Sequence, residues 1–536
     1  MCKEKLPFTP ESLHISMYKN PPNRAQLKLE FLDFPNPFGV KLHGDNRWAR
    51  LARLIPWEEF EAEYAELFVD DGAVAYPFRM ALGAQILKER LGVTDRELVE
   101  QISENPYLQY FLGLSRFTLD APFDASTLVH FRKRLSADML KAINERIALD
   151  GLARSVKKSH PEAEPPSPPP VSPSSTASEA PPAETVQEVS KPPQGKLLMD
   201  ATCAPEDIRF PNDLSLLNEA REVTEAVIDA LWVARPAELR RAVKPRTYRK
   251  KGRIAFLSAI RSRKLSSQKL RRALRYQLGC IRRNQKSIER LIKDIPLQAI
   301  GKRLYRALLV VAELERQQRI LFSLAKGERR SVPDRIVSVW KPHVRPIVRG
   351  KAGCPVEFGA KLSISVIDGM SFVDRLSFDA YNESGDMIGQ AVAYQRRMGY
   401  WPASIHADKI YRTRENLAWC KSRGIRFSGP MLGRPPVDAK IRNENRKQQR
   451  QDEVDRIPVE GRFGVAKRRY CLSRIMRRLK ETSESAITMV FLVMNLDKIL
   501  RDLLLRFFLG RWSEARVTLR LLGLVMSPGV NIRAAR

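Results

Sequence analysis

The sequence predicts an α/β protein: a mixed sheet flanked by helices, interrupted by an all-α insertion and preceded by an all-α, helix-turn-helix-like domain. Three observations lead there. From Asn46 to residue 150 the apolar residues recur every three or four positions. From Val356 they alternate as in strands, with helical runs between. Between these parts, residues 231–330 combine helical spacing with 29 Lys and Arg against 6 Asp and Glu. Spacings of 3.6 and 2 are what separate a half-buried helix from a half-buried strand.

In chain order, residues 1–45 are rich in Pro, Phe and Asn and read as an N-terminal arm. A helical domain follows at 46–150. Trp48, Leu51, Leu54 and Ile55, then Trp57, Phe60, Tyr64 and Phe68 mark its first buried stripe. Helices are predicted over Phe78–Leu91, Thr94–Ser103 and Pro106–Leu112. Thr94 and Glu97 form a capping box, with the hydroxyl placed to accept from the backbone three residues on. A last helix, from Ser126 to Leu135, carries Ser126, Thr127, His130, Arg132 and Arg134. Those residue types suit a helix entering a DNA major groove. A plain helical bundle with a basic end is the alternative.

Residues 151–195 collapse into Pro, Ser, Ala and Glu, and eleven of the 36 prolines fall between Pro161 and Pro193. Such a segment buries too little surface to offset its ordering entropy and reads as a disordered linker. The α/β domain, 196–510, begins with a strand ending at Asp200 and a helix from about Leu214. A basic helical insertion is expected over 225–335. Within it Leu270, Leu274, Gln277, Ile281, Asn284, Ile288 and Leu291 make a coiled-coil-like stripe. A second stripe begins at Leu304, so a helical hairpin is expected. Its outer cations, Arg271, Arg275 and Arg282 among them, point to DNA backbone, to dimerisation, or to both.

A hairpin turning at Asp368-Gly369 follows. Next come a helix near Glu383–Arg397, a short strand ending at Asp408, a helix at Thr413–Ser422, a strand at Gly424–Ser428 and a charged helix at Ala439–Asp455. Glu484–Phe508 is apolar enough to seal the core, and 511–536 reads as a basic tail.

Net charge excludes several classes. The chain carries 93 Lys and Arg against 61 Asp and Glu, a formal charge of +32, which is the footprint of a nucleic-acid binder. The longest apolar run, Ala486 to Met494, is too short to span a bilayer. The N-terminus lacks the apolar core of a signal peptide. Six scattered cysteines without a CxxC pair fit reduced thiols in a cytoplasm, with no zinc finger. Double-stranded DNA is the expected partner, with a nucleoid-associated location and no membrane.

The chemistry concentrates around Glu460. Arg456 precedes it by four residues and Lys467 follows it by seven, so on a helix all three lie within roughly 40° of one another. Arg462 and Arg468 add charge, and Gly461 and Gly464 leave room for a phosphate backbone. Pro458 fits such a helix only in its first turn. A solvated surface helix with i,i+4 ion pairs is the bland reading. Two strand-end aspartates plus this glutamate can hold two divalent ions roughly 4 Å apart. Mg²⁺ suits an all-oxygen set, with Mn²⁺ as a substitute.

These residues resemble the DDE transposases of bacterial insertion sequences, of the insertion-sequence-five type. The resemblance rests on Asn46-Arg-Trp…Ile55-Pro-Trp57, Leu98-Val-Glu-Gln…Tyr110-Phe-Leu-Gly-Leu114 and Ser126-Thr-Leu…Phe131-Arg-Lys-Arg-Leu135 in the N-terminal part. In the rest it rests on Asp200-Ala-Thr…Phe210-Pro-Asn-Asp213-Leu, Ala407-Asp408-Lys-Ile-Tyr411 and Arg456-x3-Glu460-x6-Lys467. It implies an RNase H-like catalytic core with Asp200, Asp408 and Glu460 as catalytic, metal-binding triad, and Arg456 and Lys467 contacting DNA at the cleavage site. It further implies recognition of terminal inverted repeats, 3′-end cleavage, strand transfer to target DNA and a synaptic homodimer. Glu453 departs from the pattern, since related families carry a Tyr there, and the Pro-rich linker is a second departure. A nuclease or a degenerate or domesticated copy that cuts poorly is the alternative within this chemistry. A structural DNA-binding protein explains the charge but not the carboxylates.

Overall fold

The longest strands meet in the middle of the chain. In the computed structural model, which describes residues 42–68, 74–156, 192–236, 243–324 except 263 and 265, 331–351, 354–430 and 438–521, β1 (Lys196–Pro205) and β3 (Cys354–Ile367) pair antiparallel from Leu198↔Val366 to Pro205↔Gly359. Gly359 permits this approach: a Cβ there would lie 2.1 Å from the Ala204 carbonyl oxygen. β2 (Arg345–Lys351) and β4 (Met370–Ser377) also pair antiparallel with β3. On the other side of β1, β5 (Ser404–His406) and β6 (Arg426–Phe427) run parallel. The order is thus β2-β3-β1-β5-β6, with β4 also on β3. This mixed sheet with flanking helices is compatible with an RNase H-like core. The β3–β4 hairpin turns on Asp368 and Gly369, both at positive φ, as two-residue hairpins require.

Before the sheet come α1 (Arg47–Ala52), α2 (Glu61–Ala65), α3 (Phe78–Leu91), α4 (Asp95–Glu104), α5 (Pro106–Leu112), α6 (Thr127–Arg134) and α7 (Ala137–Val156). Thr94 caps α4 as expected, its hydroxyl accepting from Glu97 N at 3.2 Å. The stripe from Trp48 to Tyr64 is buried, though as short helices and a 3-10 turn. The arm to residue 41, linker residues 157–191 and the chain end from 522 lie outside the described residues.

This N-terminal part does not have a core of its own. Its apolar residues and those of the sheet form one continuous cluster. α7 packs on β4 and on α15 (Lys480–Leu521). Asn144 of α7 donates to the Ser371 carbonyl at 3.0 Å and accepts from Asn495 of α15 at 2.8 Å, all three groups buried. α15 seals the core as predicted, with Ile487 and Met489–Met494 buried. It also runs through 511–521, which the sequence reading gave to the tail. A protease site placed between residues 157 and 191 is therefore expected to yield two fragments that coelute in native size-exclusion chromatography. Release of a free N-terminal fragment would show the shared core to be weaker than its burial implies.

Between β1 and β2 lie α8 (Asp213–Val233), α9 (Arg249–Ile260), α10 (Ser267–Leu291) and α11 (Lys302–Ser323), with their own apolar cluster. The insertion starts at Asp213 rather than near 225. It is a bundle around α8 and not a two-helix hairpin, since α10 and α11 both pack chiefly on α8. The predicted α10 stripe is buried from Leu274 to Leu291. Its polar members have partners there: Gln277 accepts from Arg221 at 3.2 Å and donates to the Gly252 carbonyl, and Asn284 donates to Thr224. A stripe used inside the chain is not a dimer seam.

After β4 come α12 (Asp386–Met398), α13 (Arg414–Ser422, between β5 and β6) and α14 (Ala439–Arg469). α14 is one helix of 31 residues with Pro458 inside it, not a helix starting near Pro458. An interior proline removes one backbone bond and costs about 3 kcal/mol. Buried Asp452, Val459, Phe463 and Ala466 on either side of Pro458 hold the helix in place.

Candidate active site

Asp200 lies in mid-strand, paired in register with Ile364, because β1 continues to Pro205 along β3. The strand does not end at Asp200, as its sequence context suggested. Asp408 falls two residues beyond β5 and caps a short 3-10 turn, accepting from Lys409 N at 2.7 Å. β1 and β5 are neighbours, and α14, which carries Glu460, packs against both.

The electrostatics tie these residues together. Burial raises the Asp200 carboxyl to about 6; the Arg456 guanidinium pulls it down, and the Glu383 and Asp408 carboxylates push it further up. Asp200 accepts from Ala201 N at 2.8 Å, and neither it nor Asp408 forms a salt bridge among the described residues. Arg456 holds Glu460 at 2.6 Å, one helical turn apart. The three carboxylates do not form a closed ligand set: among the described residues, the three-residue group with ligand atoms all within 4.8 Å is His406, Asp452 and Asp455. Two carboxylates with no salt bridge among the described residues, one of them largely enclosed, nonetheless suit a hard divalent ion.

Because burial raises the folded-state value above the ordinary 3.8, the folded protein takes up this proton first. The stabilising effect is complete below pH 3.8 and is lost as pH rises to about 6. A two-unit shift corresponds to ~3 kcal/mol, reduced by partial exposure to roughly 1–2. Metal-free Asp200→Asn should therefore melt higher than the parent at pH 7 and alike at pH 4. Equal melting at both would show that the Asp200 charge carries no such cost.

The other predicted contact residues fare unevenly. Lys467 is half-buried and Arg468 is exposed. Arg462 is turned inward: it lies beside Gly369 near Arg501 and Asp502, and burial lowers it to about 10. It is thus not a free DNA contact. At α6, the N-cap Ser126 and His130 are exposed and Thr127 is half-buried. Arg132 is withdrawn into a bidentate pair with Asp95 at 2.8 and 3.0 Å, and Arg134 stacks on Phe68 at 4.4 Å. Both are engaged within the fold and do not extend from it. On α10, Arg271, Arg272, Arg275 and Arg282 are exposed.

Sequence reasoning missed Glu383, on a 3-10 turn packed against the one that Asp408 caps. Lys361 of β3 holds it at 2.9 Å. Nothing local marked it, since its Lys361 partner and the Asp200 carboxyl it acts on lie on other strands.

Comparisons with known proteins give two family matches. Residues 405–497, which include Asp408 and Glu460 but not Asp200, match the Transposase DDE domain. Residues 38–134, which include α1–α6, match the Transposase domain (DUF772). The "Uncharacterized protein ORF8 in nfe locus" of Rhizobium meliloti is 38% identical over 109 residues, covering 20% of this chain and 53% of that protein, so the match spans about half the relative's length. No solved structure matches the chain. The chain is thus similar to transposases in two separate stretches, which together cover about a third of its length.

Proposed function

We propose that the chain binds the terminal inverted repeats of an insertion sequence, cleaves their 3′ ends and joins them to target DNA. The observation that carries this reading is the pair of carboxylates with no salt bridge among the described residues, Asp200 and Asp408, on neighbouring central elements crossed by the Glu460 helix. Asp200, Asp408 and Glu460 are the proposed ligands of two Mg²⁺ ions, which Mn²⁺ can replace. Held by these carboxylates, such ions would supply Lewis-acid chemistry, lowering the pKa of an attacking water or 3′-hydroxyl and neutralising the leaving oxygen.

The chain's own groups do the rest. Asp200 must be deprotonated to serve as ligand, and Arg456, already beside Asp200 and bonded to Glu460, supplies the favourable charge. A guanidinium bonded to a carboxylate can exchange it for a DNA phosphate of the same fork geometry. Lys467 and Arg468 extend that cationic surface, and Ser126, Thr127 and His130 of α6 are the proposed base-reading residues. The active species is proposed to be a homodimer on paired ends, acting at the nucleoid in the cytoplasm. No helix among the described residues is long and apolar enough to cross a membrane.

The test uses end-labelled duplex ending in the element's repeats, with purified protein and Mg²⁺. Nicked and strand-transfer products that vanish with chelator are expected. Binding without any metal-dependent product would leave a DNA-binding derivative as the better description.

A further inference from the structure

One cluster, built around buried His406 and Asp452, touches β1, β5 and α14, which carry or lead into the proposed triad. On α14, Asp452 accepts from both Arg426 guanidinium nitrogens at 2.9 and 3.0 Å, from Gly429 N at 3.1 Å and from Gln448 at 3.1 Å. One turn on, Asp455 accepts from Lys196 at 2.7 Å and from Gln451 at 3.1 Å. Between the two carboxylates lies His406, fully buried, its Nδ1 4.0 Å from Asp452 and its Nε2 4.0 Å from Asp455 and 2.9 Å from the Ser404 hydroxyl. Lys196 is four residues before Asp200 on β1, His406 two before Asp408 on β5, and Asp455 five before Glu460 on α14. In the parallel register Lys196 pairs with Ser404 and Leu198 with His406, so the cluster sits at one end of the two central strands.

We infer that this cluster is a clamp that sets where α14 crosses β1 and β5, and thereby positions Glu460 against Asp200 and Asp408. The inference rests on the proposed role of Glu460. Its physical basis is Pro458, which interrupts the backbone ladder between the clamp and Glu460. Glu460 is nevertheless held to the clamped side, because Arg456, on the turn next to Asp455, bonds its carboxylate across the proline. The helix beyond Pro458 is located by the burial of Val459, Phe463 and Ala466. Lys196, Asp452, Asp455 and Arg426 are positioning residues in this arrangement. A metal ion is a poorer occupant of the cluster than the two cations already there. Lys196 and Arg426 balance both carboxylates, and Asp452 already accepts four hydrogen bonds, about its full capacity.

The full-length protein is tested by Mn²⁺ titration without DNA, reading free Mn²⁺ by electron paramagnetic resonance, with thermal melting in parallel. Groups that orient metal ligands typically change affinity 10–100-fold when removed. Asp455→Asn and Lys196→Met are each expected to weaken Mn²⁺ binding about tenfold with little change in melting temperature. The charge-swapped pair Lys196→Asp with Asp455→Lys should recover most of the loss, and neither single variant should weaken binding further in a Glu460→Gln background. A lower melting temperature with unchanged Mn²⁺ affinity overturns the clamp and leaves a structural ion pair. Tighter Mn²⁺ binding in Lys196→Met also overturns it, because a metal would then be competing with Lys196 inside the cluster. If Glu460→Gln alone binds Mn²⁺ normally, the role of Glu460 fails, and the clamp's purpose with it.

Discussion

Asp200→Asn, Asp408→Asn and Glu460→Gln are each expected to reduce end cleavage by roughly 10³-fold or more, about 4 kcal/mol in the barrier, while end-binding affinity stays within about threefold. Each amide keeps the shape of the acid and removes one negative ligand oxygen, so packing is little disturbed. At Asp200 the change also removes a charge that burial disfavours, so loss of activity should come with equal or greater stability. That opposition separates a chemical role from a folding defect. At Glu460 the amide frees Arg456 from its 2.6 Å ion pair, and DNA affinity should rise slightly if that guanidinium then meets a phosphate. The readouts are single-turnover cleavage of labelled ends and a binding isotherm in chelator. Near-normal cleavage in any one variant removes that residue from the site.

What could be read in the sequence was what depends on near neighbours. Thr94 and Glu97 announce a cap, Asp368-Gly369 announces a hairpin, and the spacing from Leu270 to Leu291 announces a buried helical face; all three are found. What failed depends on partners far along the chain. Asp200 looked like a strand end because the following Ala-Thr-Cys-Ala lacks strong alternation, yet pairing with β3 carries the strand to Pro205. Arg132 looked free, but its Asp95 partner lies 37 residues earlier. α10 suggested a hairpin with α11, because nothing in its own stripe says that α8 is the helix it meets. Asp452 and Asp455 looked like two more charges on a charged helix. Their meaning comes from Arg426, Lys196 and His406 on three separate strands.

Replacing Arg271, Arg272, Arg275 and Arg282 with Gln should flatten the salt dependence of DNA binding by about two to four units of slope, at about 0.9 per phosphate neutralised. Affinity for repeat and random duplex should fall together, since phosphate contacts carry no base information. All four arginines are exposed on α10, and none forms a salt bridge among the described residues. Arg271 and Arg275 stack on Phe322, 4.5 and 5.7 Å from the ring centroid, which fixes their stems and leaves their charge uncancelled. Arg283 makes an internal control. It is half-buried, stacked on Tyr248 at 4.8 Å and bonded to Cys280, so Arg283→Gln should lower stability and leave the slope unchanged. The competing role, dimerisation through the stripe, predicts that polar substitutions at Leu274 or Ile281 give a folded monomer. Both side chains are buried in the apolar cluster that α10 shares with α8, so such substitutions should melt the insertion instead. A slope unchanged by the fourfold replacement would remove α10 from the DNA interface and leave its charge without a partner.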